Sequence, residues 1–398
     1  MSRSSFAIVS MLLLATLASA GQAYAQTPLN PLTDDQVIER LSAVHRDPSL
    51  RATMRVRASR PAGLDARVRQ ARELFDQGRR FDDPRLVDRA FTLMSEPDMR
   101  EHPIAARVRA SIHAWRHEFD TARTLLERLL RDAPEADTVW FALAGIERVT
   151  GRLEPARRAC ERAHALRDDP VYALCMADIN SLQGRDRAAR RWLALAGDDV
   201  ALDDDAAGWR LLTRARIAQS LGDEALASRL YRRSLLVNDP MVLTHFAHWS
   251  LDAGQNELAA RAIRRLGPGD DAMLGDDLAV SLAIALDRTG RSEEAASMTR
   301  RLETRFATAD QAGWPIHWRA RARLALSLQR QADAALAHAR RNWQAQREAI
   351  DARLLAHAAL AAGGPGGRDA LADLRAFVTD TGFNDRTLKD LLASGEAS

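Results

Sequence analysis

The chain has 398 residues, a length that ordinarily makes two or three globular domains. Hydrophobic residues make up 46% but aromatics only 5%, so any core must be built chiefly from alanine and leucine. The formal net charge is +3, and Lys389 is the single lysine; the arginines are scattered among nearly equal numbers of acids with no basic run, which argues against nucleic-acid binding.

Taken in chain order, the N-terminus is a targeting segment. Arg3 supplies a short positive region, Phe6 to Ala20 is apolar, and Ala23-Tyr24-Ala25 fits a small-x-small cleavage site. Residues 1–25 therefore read as a secretory signal peptide cleaved near Ala25. The mature protein is expected to be exported, most simply to a periplasm, with no membrane span left after cleavage. Residues 26–62 form a leading section, with a helix over 33–45 capped by Thr33 or Asp34 and a connector over 48–62.

From residue 63 onward strand-like alternation disappears and a repeat takes over. Markers recur at His117, Gly151, Gly184, Gly222, Gly254, Gly290 and Gln329, in steps of 34, 33, 38, 32, 36 and 39 by difference of position. Five residues after the markers lie Ala122, Ala156, Ala189, Ala227, Ala259, Ala295 and Ala334. Seven before them lie Ala110, Ala144, Ala177, Ala215, Ala247, Ala283 and Ala322. The physical reading is a helix, a tight turn at the marker and an antiparallel second helix, with the alanines where two backbones approach. Fainter units flank these, with Ala71 before Gly78 and Ala356 before Gly363, and "RTLKDLLA" makes a closing helix.

These units resemble tetratricopeptide (TPR) repeats. Trp140, Leu143, Ala144, Gly151, Leu153, Ala156 and Ala163 all fall at that family's spacing, and the unit from Leu211 to Pro240 is nearly as good. The resemblance implies an all-α fold, a right-handed α-solenoid of about 8–9 degenerate helix-turn-helix repeats over 63–398 with a C-terminal capping helix. It is shared with exported bacterial proteins made almost wholly of such repeats, and it implies interaction rather than chemistry.

Chemical motifs give little. There is no phosphate loop, nucleophile elbow or dinucleotide fingerprint, and "LAAGGPGGRDA" reads as a turn. His113 with His117, and His245 with His248, have helical spacing but lack a third metal ligand, so structural packing is expected. Acidic runs at 34, 203 and 269 read as solvated loops and caps. The chain is therefore expected to be no enzyme and to carry no cofactor. Cys160 and Cys175 fall on neighbouring helices of adjacent units, and they are either disulfide-bonded or two buried thiols.

In such an array the first helices line the inner face. Arg107, Phe141, Arg148, Trp209, Arg216, His248, Arg319 and Arg323 share its stripe, together with Asp178. Arginine beside aromatic surface suits a protein or peptide partner bearing acidic groups or a free carboxylate. The expected function is an exported, non-catalytic scaffold or adaptor holding that partner in the concave groove. The alternative is a structural subunit of an envelope export or surface-polymer assembly complex, held by its outer face and ends.

Overall fold

The computed structural model describes residues 63–395, apart from 82–83, 100–101, 198–205, 238, 268–270, 272–273 and 313–316. The expected signal peptide, leading helix and connector lie outside the described residues. Within them, every regular element is helical. Helices follow in antiparallel pairs: α1 (Leu64–Phe81) with α2 (Pro84–Ser95), α3 (Pro103–Trp115) with α4 (Phe119–Asp132), and α5 (Asp137–Val149) with α6 (Leu153–Leu166). Next come α7 (Pro170–Leu182) with α8 (Asp186–Leu195), α9 (Ala207–Ser220) with α10 (Glu224–Ser234), and α11 (Pro240–Asp252) with α12 (Asn256–Leu266). The series ends with α13 (Asp276–Arg288) and α14 (Ser292–Ala312), α15 (Trp318–Leu324) and α16 (Ala332–Ala345), α17 (Ala349–Ala362) and α18 (Gly364–Thr381), and a closing α19 (Arg386–Ser394).

Local sequence explains where the helices start. Asp169 and Asp239 each precede a proline and accept from the backbone N–H groups of Val171 and Met241, so α7 and α11 begin with a satisfied donor and a preset φ. Asp223 and Asp385 cap α10 and α19 through Leu226 and Leu388. The turns are left-handed at His117, Gly151, Gly184, Gly222, Gly254, Gly290 and Gly363, seven residues after a fully buried alanine in each case.

First and second helices differ in burial for a geometric reason. A first helix touches its own partner and the first helices on either side. Every residue from Val171 to Ser181 of α7 is buried as a result. A second helix faces outward, and α8 buries only Ala189. In α5 and α6, Ala144 and Ala156 sit at the crossing with almost no exposure, and larger side chains there would part the helices.

Two units depart from the expected register. Gly78 lies inside α1, which runs on to Phe81, so the turn falls about one helical turn later and Pro84 opens α2. In the α15 unit, residues Ala325–Gln329 form a π-helical turn, which inserts one residue. Arg330, not Gln329, then takes the left-handed conformation, with φ 56°. Ala335 is correspondingly the fully buried small residue, while Ala334 is only partly buried.

The array also closes on itself. The backbone N–H of Arg347 donates to the carbonyl of Val149 at 2.8 Å, and that of Asn384 donates to Leu182 at 2.7 Å. The turn after α5 therefore abuts the loop before α17, the first helix of the sixth pair onward. Gly151 is needed there twice over: its φ is +76°, and a Cβ would lie 2.8 Å from both Arg347 Cβ and Phe377 Cε2. Leu153 and Leu182 pack into the C-terminal apolar cluster across the same seam.

Cys160 of α6 and Cys175 of α7 are joined by a disulfide, with Cα atoms 5.9 Å apart, inside the range such bonds require. The bond ties two adjacent units across a sequence separation of 15 residues.

Two stability experiments follow. Ala144→Leu should cost roughly 1–3 kcal/mol in urea unfolding, because the α5–α6 crossing has no room for the extra methylenes; an unchanged midpoint would place the contact elsewhere. Reducing the disulfide should cost roughly 3 kcal/mol by releasing a closed loop in the unfolded chain. Unfolding curves that coincide with and without reductant would contradict that role.

Candidate functional site: the closed inner face

The inner stripe is not the open ladder of arginines that the sequence spacing leads one to expect. Phe141 and Trp209 are buried against each other, ring centroids 5.5 Å apart, with Tyr172 completing the cluster. They belong to the packing between α5, α7 and α9. Arg107 is half-buried at the edge of this cluster, and burial with help from nearby Arg72 lowers its pKa to about 10.

Most of the remaining arginines are engaged inside the molecule. Arg148 donates from Nε to Asp178 Oδ2 at 2.6 Å and from Nη1 to Glu348 Oε1 at 2.7 Å. Burial works to lower its pKa, but Asp178 and Glu348 outweigh that and raise it. Arg319 forks onto Asp351, with Nε to Oδ1 at 2.7 Å and Nη2 to Oδ2 at 3.0 Å. Glu348 and Asp277 lie 3.6 and 3.8 Å from the same guanidinium. Here too burial opposes charge, and the carboxylates led by Asp351 prevail.

Arg323 donates from Nη1 to His248 Nε2 at 2.7 Å and to Ser281 Oγ at 2.8 Å. Because arginine has only donors, His248 Nε2 must be a neutral acceptor. Burial, then Arg323 and Arg319, push the His248 pKa well below its ordinary value of 6.5.

Arg216 is different. Its nearest carboxylate, Asp178, is 3.7 Å away and already serves Arg148 at 2.6 Å. Burial and the neighbouring Arg148 charge lower its pKa. It lines a cavity of about 140 Å³ at the centre of the closed turn, along with His245, Arg353, Tyr231 and Trp249. The exposed Arg347 and Arg386 line it too, with the acids Glu224, Asp252 and Asp385 beside them.

The structure thus brings Arg148, Arg216, His248, Arg319 and Arg323 to one inner wall and leaves Phe141, Trp209 and Arg107 in the packing. Sequence reasoning placed Asp178 on the stripe but missed the other acids that hold this wall. Asp277 sat in a run read as a solvated loop but is buried at the start of α13. Glu348 and Asp351 form the capping box of α17, and that pattern of two acids three apart was the available signal.

The repeat geometry defines the class: an all-α solenoid of TPR-like helix pairs. No protein-family model matches the chain. Over 150 residues it is 31% identical to a β-barrel assembly-enhancing protease of Yersinia pestis, covering 37% of this chain and 29% of that protein. The chain thus spans less than a third of that relative's length. Among solved structures it is similar to a tetratricopeptide repeat protein from Parabacteroides merdae at 14% identity and TM-score 0.37, covering 64% of this chain and 98% of that one. It is also similar to a Rap protein complexed with competence and sporulation factor at 12% identity and TM-score 0.45, covering 87% and 93% of the two chains.

A pH dependence follows from the buried histidines. His245 and His248 have folded pKa values depressed below 6.5, His245 by burial first and then by Arg216, Arg319 and Arg148. A depressed histidine leaves the unfolded chain binding more protons below its ordinary pKa, so stability held above about 6.5 is lost as pH falls. Urea midpoints should therefore drop between pH 7.5 and 5.5. His248→Gln, which keeps an acceptor for Arg323, should show a smaller drop; an identical drop would assign it to other groups.

Proposed function

We propose that the protein is an exported, non-catalytic scaffold that binds a protein or peptide bearing acidic groups at the cleft of its inner face. The observation that carries this reading is that Arg216 lines the cleft together with the solvent-exposed Arg347 and Arg386. The buried acids nearby are committed to Arg148 and Arg319, so they are structural partners rather than general acids or bases. Among the described residues no helix is long and apolar enough to cross a membrane. Export rests on the N-terminal apolar stretch and the Ala23-Tyr24-Ala25 site.

A second reading, a structural subunit of an envelope assembly held by its outer face, draws on one feature. Successive second helices carry adjacent arginines: Arg232 and Arg233 on α10, Arg264 and Arg265 on α12, Arg300 and Arg301 on α14, and Arg340 and Arg341 on α16. All but Arg340 are exposed. They form a basic row that an acidic neighbour in an assembly could meet.

Capture from periplasmic extract, read by mass spectrometry, separates the two. Arg347→Glu with Arg386→Glu should abolish capture by the cleft while helicity stays intact, since the local field is reversed. Arg232→Glu with Arg265→Glu changes net charge equally on the outer row. Loss of partner only in the outer pair would transfer the function to the outer face and overturn the cleft reading.

A further inference from the structure

We propose that Arg72 and Arg107 form a second anion site on the inner face, outside the cleft, that takes an acidic side chain of a peptide or protein partner. The inference rests on the reading of the chain as a binder of acidic partners and adds a separate point of contact to it.

Arg72 follows the buried Ala71 on α1, and Arg107 lies three residues before the buried Ala110 on α3, so both fall on the inner stripe. Neither lines the cleft. Among the described residues, arginines that are not exposed have partners within the protein. Two on the same helices show the rule: Arg67 holds Glu96 and Asp98, and Arg109 donates to the carbonyls of Met94 and Met99. Arg72 and Arg107 are the exceptions. Both are half-buried, and among the described residues neither guanidinium makes an ion pair, a hydrogen bond or a ring contact. A whole guanidinium is left over in each case, not the single N–H that is unpaired at many other arginines.

The surroundings do not cancel this charge. Burial, then the neighbouring Arg72, lowers the Arg107 pKa to about 10, so the two guanidiniums stay charged at neutral pH and repel each other. The acids that act on them are Asp76 for Arg72 and Asp137 for Arg107. Asp137 is already met by Arg167 at 2.6 Å and by the Tyr172 hydroxyl at 2.6 Å. Asp76 has a further contact of its own. Burial and Asp137 hold Tyr172 as a neutral phenol. With Arg167 counted, the three guanidiniums of Arg72, Arg107 and Arg167 stand against the two carboxylates of Asp76 and Asp137, an excess of one positive charge. Like charges drawn partly out of water favour an anion that bridges them. One carboxylate supplies one charge and two acceptor oxygens, one for each guanidinium, whereas a doubly charged phosphate would reverse the excess. A lone carboxylate on a half-exposed pair binds weakly, so the ligand that fits is a longer chain carrying it and held elsewhere on the same face.

Fluorescence anisotropy of labelled hexaglutamate with the full-length mature chain at low salt tests this. Hexaglutamate should bind saturably and hexaglutamine should not. Phosphate should displace it no better than chloride at equal ionic strength. Arg107→Gln should weaken hexaglutamate at least about tenfold, and Arg72→Gln likewise. Neither substitution breaks an ion pair, so both variants should keep the parent's helicity and melt no lower. Arg347→Glu with Arg386→Glu perturbs the cleft separately, and Arg232→Glu with Arg265→Glu perturbs the outer row. Loss in the cleft variant and in Arg107→Gln, with the outer-row variant unchanged, is the expected result. Loss in Arg107→Gln alone would support this site while the cleft reading failed. Loss in the cleft variant alone would overturn this site and leave the cleft reading standing. Equal loss in the outer-row variant would mark general attraction to a basic chain and overturn the proposal. So would displacement by phosphate beyond that by chloride, or a lower melting point in Arg107→Gln with unchanged affinity.

Discussion

Arg148 holds two acids that are 30 and 200 residues away in the chain, and the geometry of the inner face depends on that grip. Asp178 lies on the next first helix, Glu348 on the far side of the closed turn. Three charges withdrawn from water would be costly if their geometry were loose. Here the planar guanidinium meets two carboxylates along its N–H directions, and Glu348 is itself fixed as the cap of α17. An apolar seam can slide by a residue with little penalty. A fork between two carboxylates has one register, so the ion triad sets which turn meets which loop, while Leu153, Leu182 and the backbone bonds at Val149 and Leu182 fill the seam around it.

The helix pairs were legible in the sequence because their signal is local. A small residue at a crossing and a left-handed residue seven positions later both lie within one unit, so the spacing survives even where the rest of the repeat has drifted. Ala144 with Gly151 and Ala215 with Gly222 are read from the sequence and found in place. The inner face was less legible because its state depends on contacts between units about 200 residues apart. Arg148 and Arg319 occupy the stripe that spacing assigns them, but nothing in spacing says that α17 returns to cover it. The sequence identifies which side of a helix a residue occupies and leaves unsaid what arrives on that side.

The two register errors have different causes, and both are physical. In the first unit, glycine's tolerance of a left-handed backbone makes Gly78 a candidate turn, yet tolerance is not obligation. Pro84 is the stronger constraint, since it cannot continue a preceding helix comfortably and fits the first turn of the next. In the α15 unit the chain has one residue too many for a standard turn. A π-helical turn absorbs it before Arg330, and the non-glycine residue there accepts the left-handed conformation because packing at Ala322 and Ala335 fixes both helices.

Closure also changes how stability is distributed. In an open repeat array each unit touches only its neighbours, so stability is close to a sum of local terms and folding can start anywhere. The bonds from Val149 to Arg347 and from Leu182 to Asn384 break that one-dimensional rule by joining units six pairs apart. Glu348 sits where the two kinds of order meet: its N–H donates to Asp351 as part of a helix cap, and its side chain accepts from Arg148, 200 residues away, across the closure. Loss of the cap would loosen the wall, and loss of the wall would strip the cap of its partner. Local helix formation and long-range closure are thus coupled through one carboxylate, which also lines the central cavity.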